Sequence, residues 1–536
     1  MILFLTTSDT DILALSGAVD SLPEDLRDTQ AVNPLSLIQD GQAFEKFLSD
    51  TLPKADLVLL RLLGGDKALG EDFGKLEAAC RRLGKPMVAC SGEPVRDIVF
   101  ERRSSTPGII AQSSFEYLRH GGVINIANVL RFLSDEVLGT EYEYEAPRSL
   151  ASDGIYRSGS PDALTVKEYH QNFQVSEKPT AALLFYRAHW VSANLDFVDA
   201  IVESVEAQGC NVMPVFCSSL RENNGAVFHK YLMDDESNAT MDVVICTQSF
   251  AMSHQPGLSD SANTEVGWDI KVLEQLDVPI LQAIVSTESR ADWEGRDIGL
   301  SPLDIAMNVA LPELDGRITT VPVSFKESVA ADGSGDLLGT VKRYVPDIEQ
   351  IEALASLATR YARLSHIPIA DRKIAFVLSN YPTKASRLGN AVGLDTPASA
   401  INLLNAMKDA GYTVDDIPED GDTLMRQLIE RCTYDVEFLT PEQMRGAEGR
   451  VSKEAYGKQF AGFPVDVQKQ MKDSWGVPPG TVYTDDGHLF IAGVSFGNVF
   501  IGIQPSRGFG ENPIAIYHSP EFMPTHHYLA FYRWLR

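Results

Sequence analysis

Short, continuously apolar runs recur along this chain. Most are followed by a longer stretch whose apolar residues return every three to four positions. Residues 2–5 (ILFL), 55–60 (ADLVLL) and 86–89 (PMVA) are the first such runs, and residues 72–83 between the last two carry helical spacing. Runs that are apolar at every position, not at every second one, belong to strands buried on both faces. Alternation of such strands with helices is the signature of a parallel sheet covered above and below. The pattern restarts at 180–186 (TAALLFY), followed by Leu195, Val198, Val202 and Val205 on one helical face, Gly209 as a stop signal and 211–216 (NVMPVF) as the next strand. Residues 241–246 and 279–285 repeat it. A third start lies at 373–378 (KIAFVL), with a helix over 399–410, a stop at Gly411 and a strand expected beyond. The expected fold is α/β, with several flavodoxin-like or Rossmann-like parallel-sheet units in series. The divisions expected are 1–140, a Glu-, Ser-, Gly- and Pro-rich linker over 141–179, 180–370 and 371–536, the last incomplete at its C-terminal end.

Composition narrows the function classes. In 536 residues, 44% are hydrophobic, enough for several buried cores, and 74 acidic against 46 basic side chains leave a formal charge of −28. Such a surface repels polyanions, so neither nucleic acid nor an anionic membrane is an expected partner. Six cysteines are scattered with no CxxC pair, and several sit in apolar runs, so they read as buried thiols in a reducing compartment. The start, MILFLTTSDTD, lacks a basic region and meets two aspartates at once, which suits a first buried strand better than a signal peptide. No apolar run reaches the roughly 18 residues of a membrane span. The expected location is the cytoplasm.

Familiar catalytic motifs are mostly missing. The chain has no GxxxxGK[ST], so any ATP would bind another polypeptide; it also lacks GxGxxG after a strand and HExxH. The one GxSxG match, Gly493 to Gly497, runs on into NVFIGIQ, a further strand, and therefore reads as a hairpin and not a nucleophile elbow. Three stretches are polar and dense in Gly and Pro: 299–326, 380–399 and 493–536. Loops of this kind at the carboxyl ends of parallel strands are where open α/β sheets bind ligands. Each carries an arginine whose planar fork suits a carboxylate: Arg317, Arg387 and Arg507. Internal ion pairs with Glu313, Asp395 or Glu511 are the competing reading. Histidines gather near the end as His488, His518, His526 and His527, and imidazole serves either as a metal ligand or as a base near neutral pH. Adjacent histidines point apart on a strand or a helix, so one metal would not take both His526 and His527.

The same stretches carry a family resemblance. ADLVLLRLLGG (55–65), LLFYRAHWVSANLDFVDAIVESVEAQGCNVMPVFCSSL (183–220), GNAVGLDTPAS and GIQPSRGFGENP with YHSPEFMPTHHYLAFYRWLR resemble the CobN family. These are large subunits of aerobic, ATP-dependent cobaltochelatases, related to the large H-type subunit of magnesium chelatase. The GLDTPAS wording is closer to the cobalt type. The resemblance implies a ligase that inserts Co2+ into hydrogenobyrinic acid a,c-diamide during cobalamin synthesis, with ATP and Mg2+ handled by separate AAA+ subunits of the CobS and CobT type. It makes His526 the candidate base, and His526 with His518 the candidate metal ligands. His527 stands where relatives commonly have a small residue. Arg317, Arg387, Arg507, Asn498 and Gln504 become candidates for substrate binding. Members of the family are about twice as long, and their HxGxHGxLE-type segment does not occur in this sequence. An N-terminal half that is inactive alone is therefore the expectation. The alternatives are a non-catalytic corrinoid- or tetrapyrrole-binding protein, a magnesium chelatase H-type subunit and, from fold alone, a nucleotide-sugar transferase.

Overall fold

The computed structural model describes residues 1–38, 41–160, 162–221, 225–252, 270–330, 340–380, 388–431, 433–435, 437–508 and 523–536. The chain divides into two compact units, Met1–Ser365 and His366–Arg536.

The first unit holds two sheets. The apolar runs at the start form β1 (Ile2–Thr6), β2 (Gln30–Val32), β3 (Leu57–Leu62) and β4 (Met87–Ser91), all parallel, in the order β2-β1-β3-β4. This is the flavodoxin-like order for four strands. Every residue of β1 and β4 is buried, because both faces are covered. Leu15, Phe115, Ile126 and Leu130 lie on one side, and Phe44, Phe73 and Leu76 on the other.

The second sheet contains β5 (Gly154–Ile155), β6 (Thr180–Tyr186), β7 (Asn211–Cys217), β8 (Val243–Cys246), β9 (Ile280–Val285), β10 (Ile318–Ala330) and β11 (Thr340–Pro346). Their order is β11-β10-β9-β8-β6-β7-β5, with β6 to β10 parallel and the two edge strands antiparallel. The helix Asp196–Ala207 buries Val198, Ile201, Val202 and Val205, the face expected from their spacing. Gly209 follows it at φ +91°, a left-handed conformation that glycine adopts at no steric cost.

Residues 141–160 are strapped down by two buried amides. Asn125 exchanges hydrogen bonds with the backbone of Arg148 (2.8 and 2.9 Å), and Asn128 accepts from the Glu145 N–H (2.9 Å). Beyond them β5 joins the seven-stranded sheet, and the helix Val166–Asn172 buries Tyr169. A polar, glycine-rich composition leaves such a stretch looking like a free connector. Side-chain amides elsewhere in the chain supply the pairing that its own sequence does not advertise.

In the second unit, β12 (Ile374–Leu378) pairs in parallel with a strand from near the end of the chain. The strands β13 (Gly449–Ser452), β14 (Thr484–Asp485) and β15 (His488–Ile491) form an antiparallel sheet. The strands β16 (Gly493–Phe496) and β17 (Val499–Ile503) form a hairpin, and β17 lies between β12 and β16. The helix Thr396–Asp409 forms as expected, with Gly411 at φ +92° after it, but no strand follows. Asp416 takes φ +51° there, and Pro418 lacks a ladder donor, so the run breaks after the buried Val414. The third start is therefore not a serial copy of the first two.

The GxSxG match is the hairpin that its flanking sequence implied. Ser495 is exposed on β16 opposite Phe500, with no helix after it. Gly497 forms the turn at φ +62°, and a Cβ there would stand 2.7 Å from the Thr413 carbonyl oxygen. Gly497→Ala is expected to lower stability by at least about 1–2 kcal/mol, the left-handed penalty alone. Ser495→Ala should stay within about 0.5 kcal/mol, as exposed substitutions do. Urea unfolding of the two variants checks the contrast, and equal losses would refute it.

Cys80, Cys90, Cys210, Cys217 and Cys246 are buried, while Cys432 lies outside the described residues. Among the described residues no helix is long and apolar enough to cross a membrane.

Candidate functional site

The carboxyl ends of β12 and β17 lie side by side, and two helices begin beside them. Leu378 accepts from the Gln504 N–H at 2.9 Å, which keeps the two strand ends in register as they become loops. After β12, the Ser379 hydroxyl donates to the Asn390 carbonyl (3.0 Å), and Gly389 N–H donates to the Ser379 carbonyl (2.7 Å). The helix Thr396–Asp409 then starts with the Asp395 carboxylate accepting from the Ala398 N–H.

After β17 the chain runs Gln504-Pro505-Ser506-Arg507-Gly508. Thr525 connects this loop to the last helix, His526–Leu535. Its hydroxyl donates to the Ser506 carbonyl (3.2 Å) and accepts from the Tyr528 N–H (3.1 Å). The Gln504 side chain lies beside the Tyr532 hydroxyl. Tyr528 lies one turn earlier, with the two rings 5.0 Å apart. Burial, then the hydrogen bond to Tyr528, pushes the Tyr532 hydroxyl up to about 12, so it stays a neutral donor near pH 7. Among the described residues Arg507 meets no carboxylate at ion-pair distance. This end of the unit thus offers a guanidinium, a carboxamide and two phenols, all of which can donate to carboxylate or carboxamide oxygens.

The two adjacent histidines begin the last helix and diverge, each into its own buried setting. His526 packs against Tyr456 and Phe460. Its Nε2–H donates to the Gly476 carbonyl (2.9 Å), so Nδ1 accepts from the Tyr456 hydroxyl (2.9 Å). Burial lowers its pKa, which favours this neutral form. Both ring nitrogens are engaged, so His526 reaches a metal or an external proton only after one of these bonds opens. His527 sits among Tyr434, Tyr483 and Phe490, donates from Nε2 to the Phe490 carbonyl (2.6 Å) and is held down to about 4 by burial.

The other candidates from sequence scatter. Asn498 stands at the opposite end of β17 from Gln504, where its carboxamide donates to the Ala370 carbonyl (2.8 Å). Arg317 belongs to the first unit and is buried. It donates to Asp315 (2.7 Å), to the Gln248 carbonyl (3.1 Å) and to the Gln282 side chain (3.0 Å). Its partner is therefore Asp315 and not Glu313. Arg387 and His518 lie outside the described residues. Among the described residues no three His, Cys, Asp or Glu side chains stand close enough to hold a metal. Thr525, Tyr528 and Tyr532 were missed by reasoning from sequence. The four-residue spacing of the two tyrosines was the available signal.

Over residues 115–536 the chain matches the family model for CobN/Magnesium Chelatase. It belongs to that family. Among CobN/magnesium-chelatase proteins, the aerobic cobaltochelatase subunit CobN of Pseudomonas aeruginosa is 34% identical over all of this chain and 41% of its own length. The H-type magnesium-chelatase subunit of Cereibacter sphaeroides is 29% identical over 79% of this chain and 35% of its own. Among solved structures, the catalytic subunit of cobaltochelatase from Mycobacterium tuberculosis superimposes with a TM-score of 0.80 at 35% identity. That match covers all of this chain and 41% of the other. The chain thus spans about two fifths of the length of these CobN relatives.

Proposed function

We propose that this chain is part of a cobaltochelatase large subunit that inserts Co2+ into hydrogenobyrinic acid a,c-diamide in the cytoplasm. ATP, as its Mg2+ complex, is hydrolysed on separate AAA+ subunits of the CobS and CobT type. The observation that carries this reading is coverage: likeness to CobN runs over the whole chain, whereas likeness to the H-type magnesium-chelatase subunit of C. sphaeroides covers 79% of it.

The chemistry asks for a held ring, removal of macrocycle N–H protons and a metal that sheds water. In this reading the donor end of the second unit does the holding. Arg507 takes a substrate carboxylate, and Gln504, beside Tyr532, meets a carboxamide or carboxylate arm. His526 acts first as a positioning residue. As a neutral imidazole it ties Gly476 to the start of the last helix, and so to the loop that carries Arg507.

Titrating the chain with metal-free hydrogenobyrinic acid a,c-diamide, followed by the corrin absorption band, tests the assignment. Saturable binding is expected, weakened about tenfold or more by Arg507→Ala, since a charge-assisted hydrogen bond is worth about 1.5–3 kcal/mol. Ser495→Ala should bind as the parent does. A folded chain that leaves the corrin band unchanged but perturbs a porphyrin spectrum would replace the cobalt reading with the magnesium-type one.

A further inference from the structure

In the seven-stranded sheet the direction of winding reverses at β6. The connection from β6 leads to β7 on one side, and β8 then lies on the other side of β6. The helix after β6, Asp196–Ala207, covers one face, and the helix after β7, Ala226–Tyr231, covers the opposite face. A crevice must open at the carboxyl ends of β6 and β8, because no crossover closes it, and open α/β sheets take their ligands at such switch points. Here the crevice is a small polar pocket of about 80 Å³ walled by Tyr186, Ser219, Arg221, Gln248, Ser249 and Phe250. At about 30 Å³ per water, it admits a group the size of two to three waters.

The walls are built, and they leave donors over. The buried Gln248 carboxamide donates to the carbonyls of Phe185 (3.0 Å) and Cys217 (3.3 Å), tying the ends of β6 and β7 together as a floor. Arg317 donates to the Gln248 carbonyl, and its partner Asp315 accepts from the Met252 N–H (2.6 Å), so one buried pair pins both ends of the loop 248–252. Within that loop Phe250 is 45% exposed at φ +65°. An aromatic residue in the left-handed region is strained, and strain of this kind clusters at ligand sites. Tyr186 donates to the Ser249 carbonyl, and Ser249 donates to Asn308, so neither of these hydroxyl hydrogens is aimed at a ligand. Arg221 differs. Its Nε donates to the Ala251 carbonyl (2.7 Å), which orients the guanidinium, while its two terminal nitrogens have no partner among the described residues. Ser219 accepts from the Arg221 N–H at 3.2 Å, which leaves its hydroxyl hydrogen available as a second donor.

We infer that this switch-point pocket binds a small oxyanion, a carboxylate or a phosphate, with the Arg221 guanidinium and the Ser219 hydroxyl as its donors. Of the carboxylates tied to the pocket walls, Asp315 is paired with Arg317, and Asp304 accepts from Ser286, Thr287 and Asn308. The site stands apart from the metal-insertion reading and survives its failure.

Thermal unfolding of the 536-residue chain in sodium propionate or sodium phosphate, against sodium chloride at equal ionic strength, is the test. A saturable rise in the midpoint beyond chloride is expected. Arg221→Gln should raise the half-saturating concentration at least tenfold, and Arg221→Lys less. Response to propionate alone assigns a carboxylate, response to phosphate alone assigns a phosphate, and response to both supports the oxyanion class. No rise over chloride from either salt, or an unchanged response in Arg221→Gln, overturns the inference.

Discussion

Arg317→Ala is expected to lower the stability of the 1–365 unit by about 3–5 kcal/mol, the loss typical of removing one partner from a buried ion pair. Arg317 and Asp315 are both almost wholly buried, with N and O 2.7 Å apart. Removing the guanidinium takes away the cation paired with Asp315 and orphans the Gln282 side-chain oxygen, while the Gln248 carbonyl keeps only the Gln282 amide as its side-chain N–H donor. The charge-free pair Arg317→Met with Asp315→Leu should recover much of the loss, because two apolar side chains avoid the desolvation of both ions. Urea unfolding at pH 7 of the single and double variants closes the cycle. A loss below about 1 kcal/mol in Arg317→Ala would mean that the pair is open to water.

Below pH 6.5 both units are expected to lose stability as two histidines, the buried His527 and the half-buried His189, stay neutral in the fold but protonate when it opens. Burial holds His527 down to about 4; His189 also falls to about 4, by burial first and the Lys326 charge second. For a histidine whose folded pKa lies below its unfolded 6.5, the unfolded chain binds more protons between those values, so stability falls as pH falls. Above about pH 6.5 neither residue contributes. Between pH 6.5 and 4 each withdraws up to roughly 3 kcal/mol, from about 1.4 kcal/mol per unit. His189 belongs to the first unit and His527 to the second, so each unit should carry its own acid arm. Unfolding curves at pH 7.5, 5.5 and 4.5, for the parent and for His527→Leu, separate them. The variant should flatten the arm of the second unit alone. An unchanged arm would place the acid sensitivity on other groups.

The alternating apolar runs made most of the strands legible, and the central ones form where they were expected. What failed to appear was the strand after Gly411, because β12 finds its parallel neighbour in β17, a long-range pairing that no local window reports. The hairpin behind the GxSxG match was readable for the opposite reason. Its two strands and its turn glycine are contiguous, so the competing elbow could be rejected from the residues that follow. Of the site, the family motifs pointed to the segment of the second unit around Gln504 and Arg507. They grouped Asn498 with it, although a strand puts residues six apart at its two ends, roughly 20 Å away at about 3.3 Å per residue.

The sequence by itself determined the α/β class, the buried thiols, the helix faces and the family, since these depend on periodicity, residue type and motif wording. Only the tertiary structure decided which polar groups are spent and which are left for a ligand. Arg317 donates to the backbone of a residue 69 positions away, and both nitrogens of His526 are taken by residues 50 and 70 positions away. A buried donor must find an acceptor wherever the fold brings one, and those partners are set by the packing of sheets and helices that no local pattern encodes.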